Sequence, residues 1–188
     1  MYDRILVPVD GSAFSEEVLP HALGIVQATG ATLSLLRVVE REDEKAEAAR
    51  YVDALAADLS ASGQVVVARG DLAEAVLAEA RRVPGTLVAM TSHGHSGLME
   101  AMMGSVALRI VRSGGDPVIL YRPRGAAVEG RRQAVKITTV VLPLDATQVS
   151  EAMASQAAGM ALWLGADLNV VEVIAPDVKL AADIPTGD

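Results

Sequence analysis

Short, β-branched, nearly continuous apolar runs alternate along the chain with longer segments dominated by Ala, Leu, Glu and Arg. The runs Arg4–Val9, Thr32–Val38, Gln64–Ala68, Thr86–Met90 and Pro117–Tyr121 have the length and residue types of strands. Between them Ser15–Ala28, Asp43–Leu59, Leu72–Arg82 and Ser105–Arg112 predict helices. Gly30, Gly63, Gly85 and Gly114 stand just past their ends, where a glycine stop is favoured. Val65-Val66-Val67 is apolar at every position, which points to strands buried on both faces. Strands alternating with helices imply right-handed crossovers and a parallel sheet covered on both sides. Pro20 falls one turn into the first helix and predicts a kink or a shifted start there.

The pattern then restarts. A constant shift of 135 places Pro8 on Pro143, Asp10 on Asp145, Ser12 on Thr147 and Ser15-Glu16 on Ser150-Glu151. It continues without a gap through Ala22 on Ala157, Gly30-Ala31 on Gly165-Ala166, Leu33 on Leu168 and Val38 on Val173. Thr138–Val173 is therefore expected to be a second strand–helix–strand. Between the copies, Arg122–Lys136 has no helical or strand period. It carries five cations against Glu129, a net +4, and reads as a solvated linker. The expected organisation is a full domain over 1–123, a basic linker over 124–136, a partial β-α-β repeat over 137–175 and a tail over 176–188. A bare strand–helix–strand has exposed edges and little core. It is expected to dock on the first domain or on a second chain, burying Val140, Leu142, Leu162, Trp163 and Val171.

Composition narrows the partners. The 188 residues are 51% hydrophobic and 21% charged, enough for a sizeable core. A net charge of −8 argues against general affinity for nucleic acid or anionic membrane. Aromatic residues, at 3%, are too few for a base-stacking platform. Without cysteine there is no disulfide, thiolate metal site or thiol nucleophile, which fits a cytoplasmic protein. No apolar run approaches the roughly 18 residues of a membrane span. Asp3-Arg4 followed by only Ile5-Leu6-Val7 before Pro8 is not a secretory signal.

Ligands of open parallel sheets bind beyond the carboxyl ends of strands, where strand order reverses. The stretch Thr91–Ser105 stands out there. A glycine-rich loop leaves the fourth strand, and Gly104-Ser105 opens a helix whose unpaired amides suit a phosphate. An ordinary N-capped loop fits the same residues. His93-x-His95 without nearby carboxylates makes a poor metal site, and none is expected. Ser113-Gly114-Gly115-Asp116 reads as a glycine helix stop. No phosphate-binding G-x-x-x-x-G-K-S/T is present.

Pro8-Val9-Asp10-Gly11-Ser12, Ser92-His93-Gly94-His95-Ser96-Gly97 through Gly104-Ser105-Val106, and Val111-Arg112-Ser113 through Pro117-Val118-Ile119-Leu120 together resemble the universal stress protein family. The resemblance implies an α/β, Rossmann-like (adenine nucleotide alpha hydrolase-like) fold. Its five-stranded parallel sheet would have the order 3-2-1-4-5, with a crevice between strands one and four. The nucleotide-binding branch carries Gly, two residues, Gly, nine residues, then Gly-Ser or Gly-Thr. Gly94 and Gly104-Ser105 match at that spacing, but Thr91 replaces the first glycine. A β-branched residue cannot easily take positive φ, so Thr91 is tolerated only if the backbone there is extended.

Carried over position by position, the resemblance places Asp10 and Val38 beside an adenine and Val9 and Met90 on the pocket floor. Thr91 would lie by the ribose, and Gly94, His95, Gly104, Ser105 and Val106 would contact phosphate. Asp10 is equally placed to cap the first helix with Ser12 and Ser15. The implied ligand is ATP, with AMP or a cyclic nucleotide as alternatives, and Mg2+ would accompany the phosphates. The implied assembly is a homodimer through Pro117–Tyr121, the partial repeat, or both. The second copy lacks equivalents of Gly94, Gly104 and Ser105, so at most one nucleotide site per chain is expected. With Asp10 at the nucleoside end and no Lys or Arg in the loop, no catalytic residue is assigned. The expected role is a nucleotide-binding stress-response module. Its alternatives are a member acting by protein association alone and a slow ATPase.

Overall fold

Arg4–Pro8 form β1, with Ile5, Leu6 and Val7 almost completely buried, as an apolar strand covered on both faces requires. The computed structural model describes residues 1–92, 103–123, 133–145 and 147–172. They divide into two units, Met1–Ile137 and Thr138–Asp188. In the first, β2 (Thr32–Val39), β3 (Ser62–Val67), β4 (Thr86–Thr91) and β5 (Val118–Tyr121) join β1 in one parallel sheet of order β3-β2-β1-β4-β5. This is the Rossmann-like architecture anticipated above.

Helices α1 (Ala13–Glu16), α2 (Leu19–Thr29), α3 (Lys45–Leu59), α4 (Leu72–Arg81) and α5 (Ser105–Ser113) connect the strands. On one side of the sheet, Leu6, Leu36, Val88 and Met90 pack with Ala73, Val76 and Leu77 of α4 and with Ala107 and Ile110 of α5. Arg4, at the amino end of β1, is buried in a satisfied polar cluster. Its guanidinium donates to Thr86 Oγ1 (2.9 Å), Glu79 Oε1 (3.3 Å) and the Glu79 carbonyl (2.8 Å).

Local differences from the sequence reading have physical causes. The first helix is two helices, with Pro20 inside the first turn of α2, where its missing N–H costs nothing. Helix α3 is entered through a single 3-10 turn, Glu42–Glu44. It ends not at Gly63 but at Ser60, which takes the left-handed conformation itself (φ 53°). Gly63 lies in β3, where an added Cβ would come within 2.7 Å of Val52 Cγ1, so its role is close approach of strand to helix. Gly24 plays the same part in α2. A Cβ there would run into the Val135 carbonyl oxygen, and the Val135 amide donates to the Pro20 carbonyl at 2.8 Å. Residues 133–137 thus belong to the first unit, while 124–132 of the anticipated linker lie outside the described residues.

The second unit contains β6 (Thr139–Leu144), α6 (Gln148–Ala152), α7 (Ala154–Leu164) and β7 (Asp167–Glu172), with β6 and β7 paired in parallel. Of the five side chains expected to be buried here, Leu142 is buried, Val140 and Trp163 are half-buried, and Leu162 and Val171 are exposed. The tail 176–188 lies outside the described residues. Among the described residues no helix is long and apolar enough to cross a membrane.

Candidate functional site

β1 and β4 pair from Arg4↔Thr86 to Leu6↔Val88 and no further. Pro8 has no N–H to continue the ladder, while Val9 turns its amide to the Leu36 carbonyl of β2 at 2.8 Å. From this pair the chain runs outward in opposite directions, to β2 and β3 on one side and to β5 on the other. A crevice at the carboxyl ends of β1 and β4 is the consequence, and this is where open parallel sheets hold ligands.

A cavity of about 340 Å3 occupies it, within the size range of small-molecule sites. Leu36, Arg37 and Val38 of β2 line it, as do Met90, Thr91 and Ser92 at the end of β4. Leu72 and Val76 of α4 and Gly104, Ser105, Val106 and Ala107 at the start of α5 complete the lining. Of the ten residues singled out from sequence, Val9, Asp10, Val38, Met90, Thr91, Gly104, Ser105 and Val106 all line this cavity. Gly94 and His95 lie outside the described residues, as does His93. Sequence reasoning missed Leu72, Val76 and Arg37. The first two read as ordinary core positions of an amphipathic helix, and only a lone cation inside an apolar strand marked Arg37.

Asp10 lines the cavity while also holding up the first helix. Its Oδ1 accepts from the Ser12 amide (2.9 Å) and hydroxyl (2.5 Å). Ser12 Oγ in turn accepts from the Ser15 amide (3.1 Å), so Ser12 is the N-cap of α1 and Asp10 its brace. Ser15 Oγ closes the ring by donating to the Ser12 carbonyl (2.9 Å) and accepting from the Asp10 amide (3.2 Å). Gly11 makes the turn at φ 82°. Behind α1, Tyr51 Oη donates to the buried Glu16 carboxylate at 2.7 Å. Burial, then that hydrogen bond, push the Tyr51 hydroxyl well above the ordinary tyrosine range, so it remains a donor.

At the other end of the cavity, α5 has Gly104 as its N-cap and no side-chain cap. The amides of its first turn have no partner inside a helix. Gly104 lines the cavity, and its amide is engaged within the chain. That amide donates to the Ser92 carbonyl at 2.7 Å, while Ser105, Val106 and Ala107 form the first turn of α5. Thr91 lies in strand β4, and Ser60 is the one non-glycine residue with positive φ among those described. The extended backbone at Thr91 therefore accepts a β-branched side chain without strain. The arrangement is a largely apolar cavity with the start of α5 among its lining. Among the described residues no group of three or more His, Asp or Glu could hold a metal.

Residues 1–122 match the profile of the Universal stress protein family. Universal stress protein YxiE of Bacillus subtilis is 26% identical over 148 residues, spanning 65% of this chain and 100% of its own length. A universal stress protein solved in complex with cAMP is similar over 65% of this chain and 98% of its own, with 22% identity and a TM-score of 0.52. A putative universal stress protein of Pseudomonas aeruginosa shares the fold over 96% of this chain and 64% of its own, with 18% identity and a TM-score of 0.65.

Proposed function

Since the chain belongs to the universal stress protein family, we propose that it binds one adenine nucleotide in the β1/β4 crevice and acts through nucleotide-dependent association. The observation that carries this reading is the cavity itself, an apolar slot running from Val38 and Met90 to the uncapped start of α5. The relative in complex with cAMP supports a nucleotide of this class. The adenine lies against Val9, Val38 and Met90, with Asp10 at its edge and Thr91 beside the ribose. The phosphates meet the Ser105 hydroxyl and the amides of Ser105, Val106 and Ala107, with Gly94 and His95 contributing from the loop. ATP is the favoured ligand, and any Mg2+ arrives on its phosphates. Occupancy is passed outward by pairing of chains along β5, which is an edge of the sheet.

Small molecules released by denaturing the freshly purified full chain should include an adenine nucleotide on chromatography. Titration calorimetry should then show binding of ATP that weakens about tenfold in Ser105→Ala, the loss of one charge-assisted hydrogen bond, with adenosine binding unchanged. An empty release together with no heat from ATP, AMP or cAMP would sink the reading and leave association alone. Sustained Mg2+-dependent phosphate release, abolished by Ser105→Ala, would instead make the protein a slow ATPase.

A further inference from the structure

We propose that Arg109 is a phosphate ligand that Asp71 holds in reserve, so that a nucleotide with a phosphate chain exchanges one partner of this arginine for another. The proposal rests on the nucleotide reading and names the side chain that reads the phosphates. Arg109 lies four residues after Ser105 on α5, hence on the same face and one turn below the helix start. Helical side chains lean toward the amino terminus, which brings a long Arg109 side chain toward the Ser105 end. Ala107 and Ile110 point into the core, whereas Arg109 is 67% exposed and able to move.

The Arg109 guanidinium is paired with Asp71 Oδ2. Asp71 is the N-cap of α4, and its other oxygen, Oδ1, accepts from the Ala73 amide at 2.8 Å. One carboxylate therefore does two separable jobs, and α4 keeps its cap when the arginine leaves. The pair joins α4 to α5, and the first residues of both helices line the cavity. Leu72 and Val76, which follow Asp71, and Ser105 and Val106, which precede Arg109, line the same space. Exposed ion pairs contribute little, whereas a guanidinium on a phosphate makes stronger, bidentate, charge-assisted bonds. Transfer of Arg109 from Asp71 to a bound phosphate is accordingly downhill. Of the other cations, Arg37 on the β2 side of the cavity donates to the Val9 carbonyl, Arg4 is buried on Glu79, and Arg81 makes a fork with Asp116. Release of Asp71 alters the α4–α5 rim, which gives occupancy a surface consequence.

Calorimetry on the full chain with ATP and with adenosine tests this, using Arg109→Met and Asp71→Asn, the latter chosen because asparagine still caps a helix. The expected result is ATP affinity about tenfold weaker in Arg109→Met, a few-fold tighter in Asp71→Asn, and adenosine affinity unchanged in both. The Arg109 Nε resonance should shift when ATP, but not adenosine, is added to the wild-type chain. ATP binding insensitive to Arg109→Met overturns the proposal and leaves the nucleotide reading intact. So does Asp71→Asn weakening ATP and adenosine alike, because the pair would then only space the walls. Wild-type protein that binds neither ligand overturns both.

Discussion

Under a constant shift of 135, β1–α1–α2–β2 and β6–α6–α7–β7 share their strand register and the hydrogen-bonded hook that follows the first strand. The register Arg4↔Thr32 to Pro8↔Leu36 becomes Thr139↔Asp167 to Pro143↔Val171. Asp145 Oδ1 accepts from the Thr147 amide (3.2 Å) and hydroxyl (2.6 Å), Thr147 caps α6 through the Ser150 amide, and Ser150 Oγ donates to the Thr147 carbonyl (2.9 Å). Gly165 ends α7 in the left-handed conformation, as Gly30 ends α2. Yet Leu6 and Leu36 are 1% and 0% exposed, while their counterparts Val141 and Val171 are 58% and 47% exposed. The hook around Asp10 is therefore a local device for starting a helix after a strand. It becomes part of a cavity only where β4, α4 and α5 stand opposite.

If burial is the difference, substitutions in the first unit should be costly and their counterparts cheap. The largest effect is expected at Glu79, whose buried carboxylate accepts from Arg4, Gln64 and Arg82. Glu79→Leu strands the Arg4 charge and should cost about 3–5 kcal/mol in urea unfolding followed by circular dichroism. Thr139, which occupies the Arg4 position in the second copy, is exposed, so Thr139→Ala should stay within about 0.5 kcal/mol. Comparable losses at both positions would erase the contrast. Leu36→Ala should follow at about 2–5 kcal/mol, against less than about 0.5 kcal/mol for Val171→Ala. Trp163 is the sole tryptophan and sits on α7, so its emission reports the second unit separately.

What the sequence made legible follows the same division. Parallel pairing and the repeat were readable because β-branched runs, glycine stops and the Asp-x-Ser/Thr hook are local signals, whereas strand order, a tertiary property, came only from the family resemblance. Eight cavity residues were named by the family resemblance, and of these Asp10 and Gly104-Ser105 were also marked by their place after a strand or at the start of α5. The break before α2 was only half readable, since Pro20 marks a helix start as well as a kink. Ser60 as a helix stop was not, because neighbours override its ordinary preference for negative φ. Gly63 and Gly24 were opaque for another reason. Their role depends on Val52 and on Val135, and no periodicity announces which backbone comes close. The commitment of the Gly104 amide to Ser92 is likewise a tertiary fact.

The two hooks themselves offer a finer test. Ser12→Ala removes a buried hydroxyl that serves both Asp10 and the Ser15 amide, and should cost about 1–2 kcal/mol. Thr147→Ala removes the same bonds at an exposed turn and should cost about 0.5–1 kcal/mol, read from Trp163 emission. Equal costs would mean that the cap alone matters and the surroundings of α1 add nothing. A Ser12 variant cheaper than its counterpart would reverse the ordering argued from burial.

The smallest expected effect is electrostatic. Hydrogen bonds from the Thr147 hydroxyl, then Ser150, then the Thr147 amide hold the Asp145 carboxyl below the ordinary aspartate value of 3.8. A carboxyl whose pKa is lowered by folding favours the native state when ionised. Its contribution is present above the unfolded-state value and disappears as pH falls through the folded one. Carbon-13 titration of Asp145 should therefore show a midpoint under 3.8, and Thr147→Ala should move it upward toward that value. A midpoint at or above 3.8 in the wild-type chain would mean that the hook does not persist without a buried surround. Local hydrogen bonding would then not suffice to build the second copy, and the resemblance between the two would depend on packing after all.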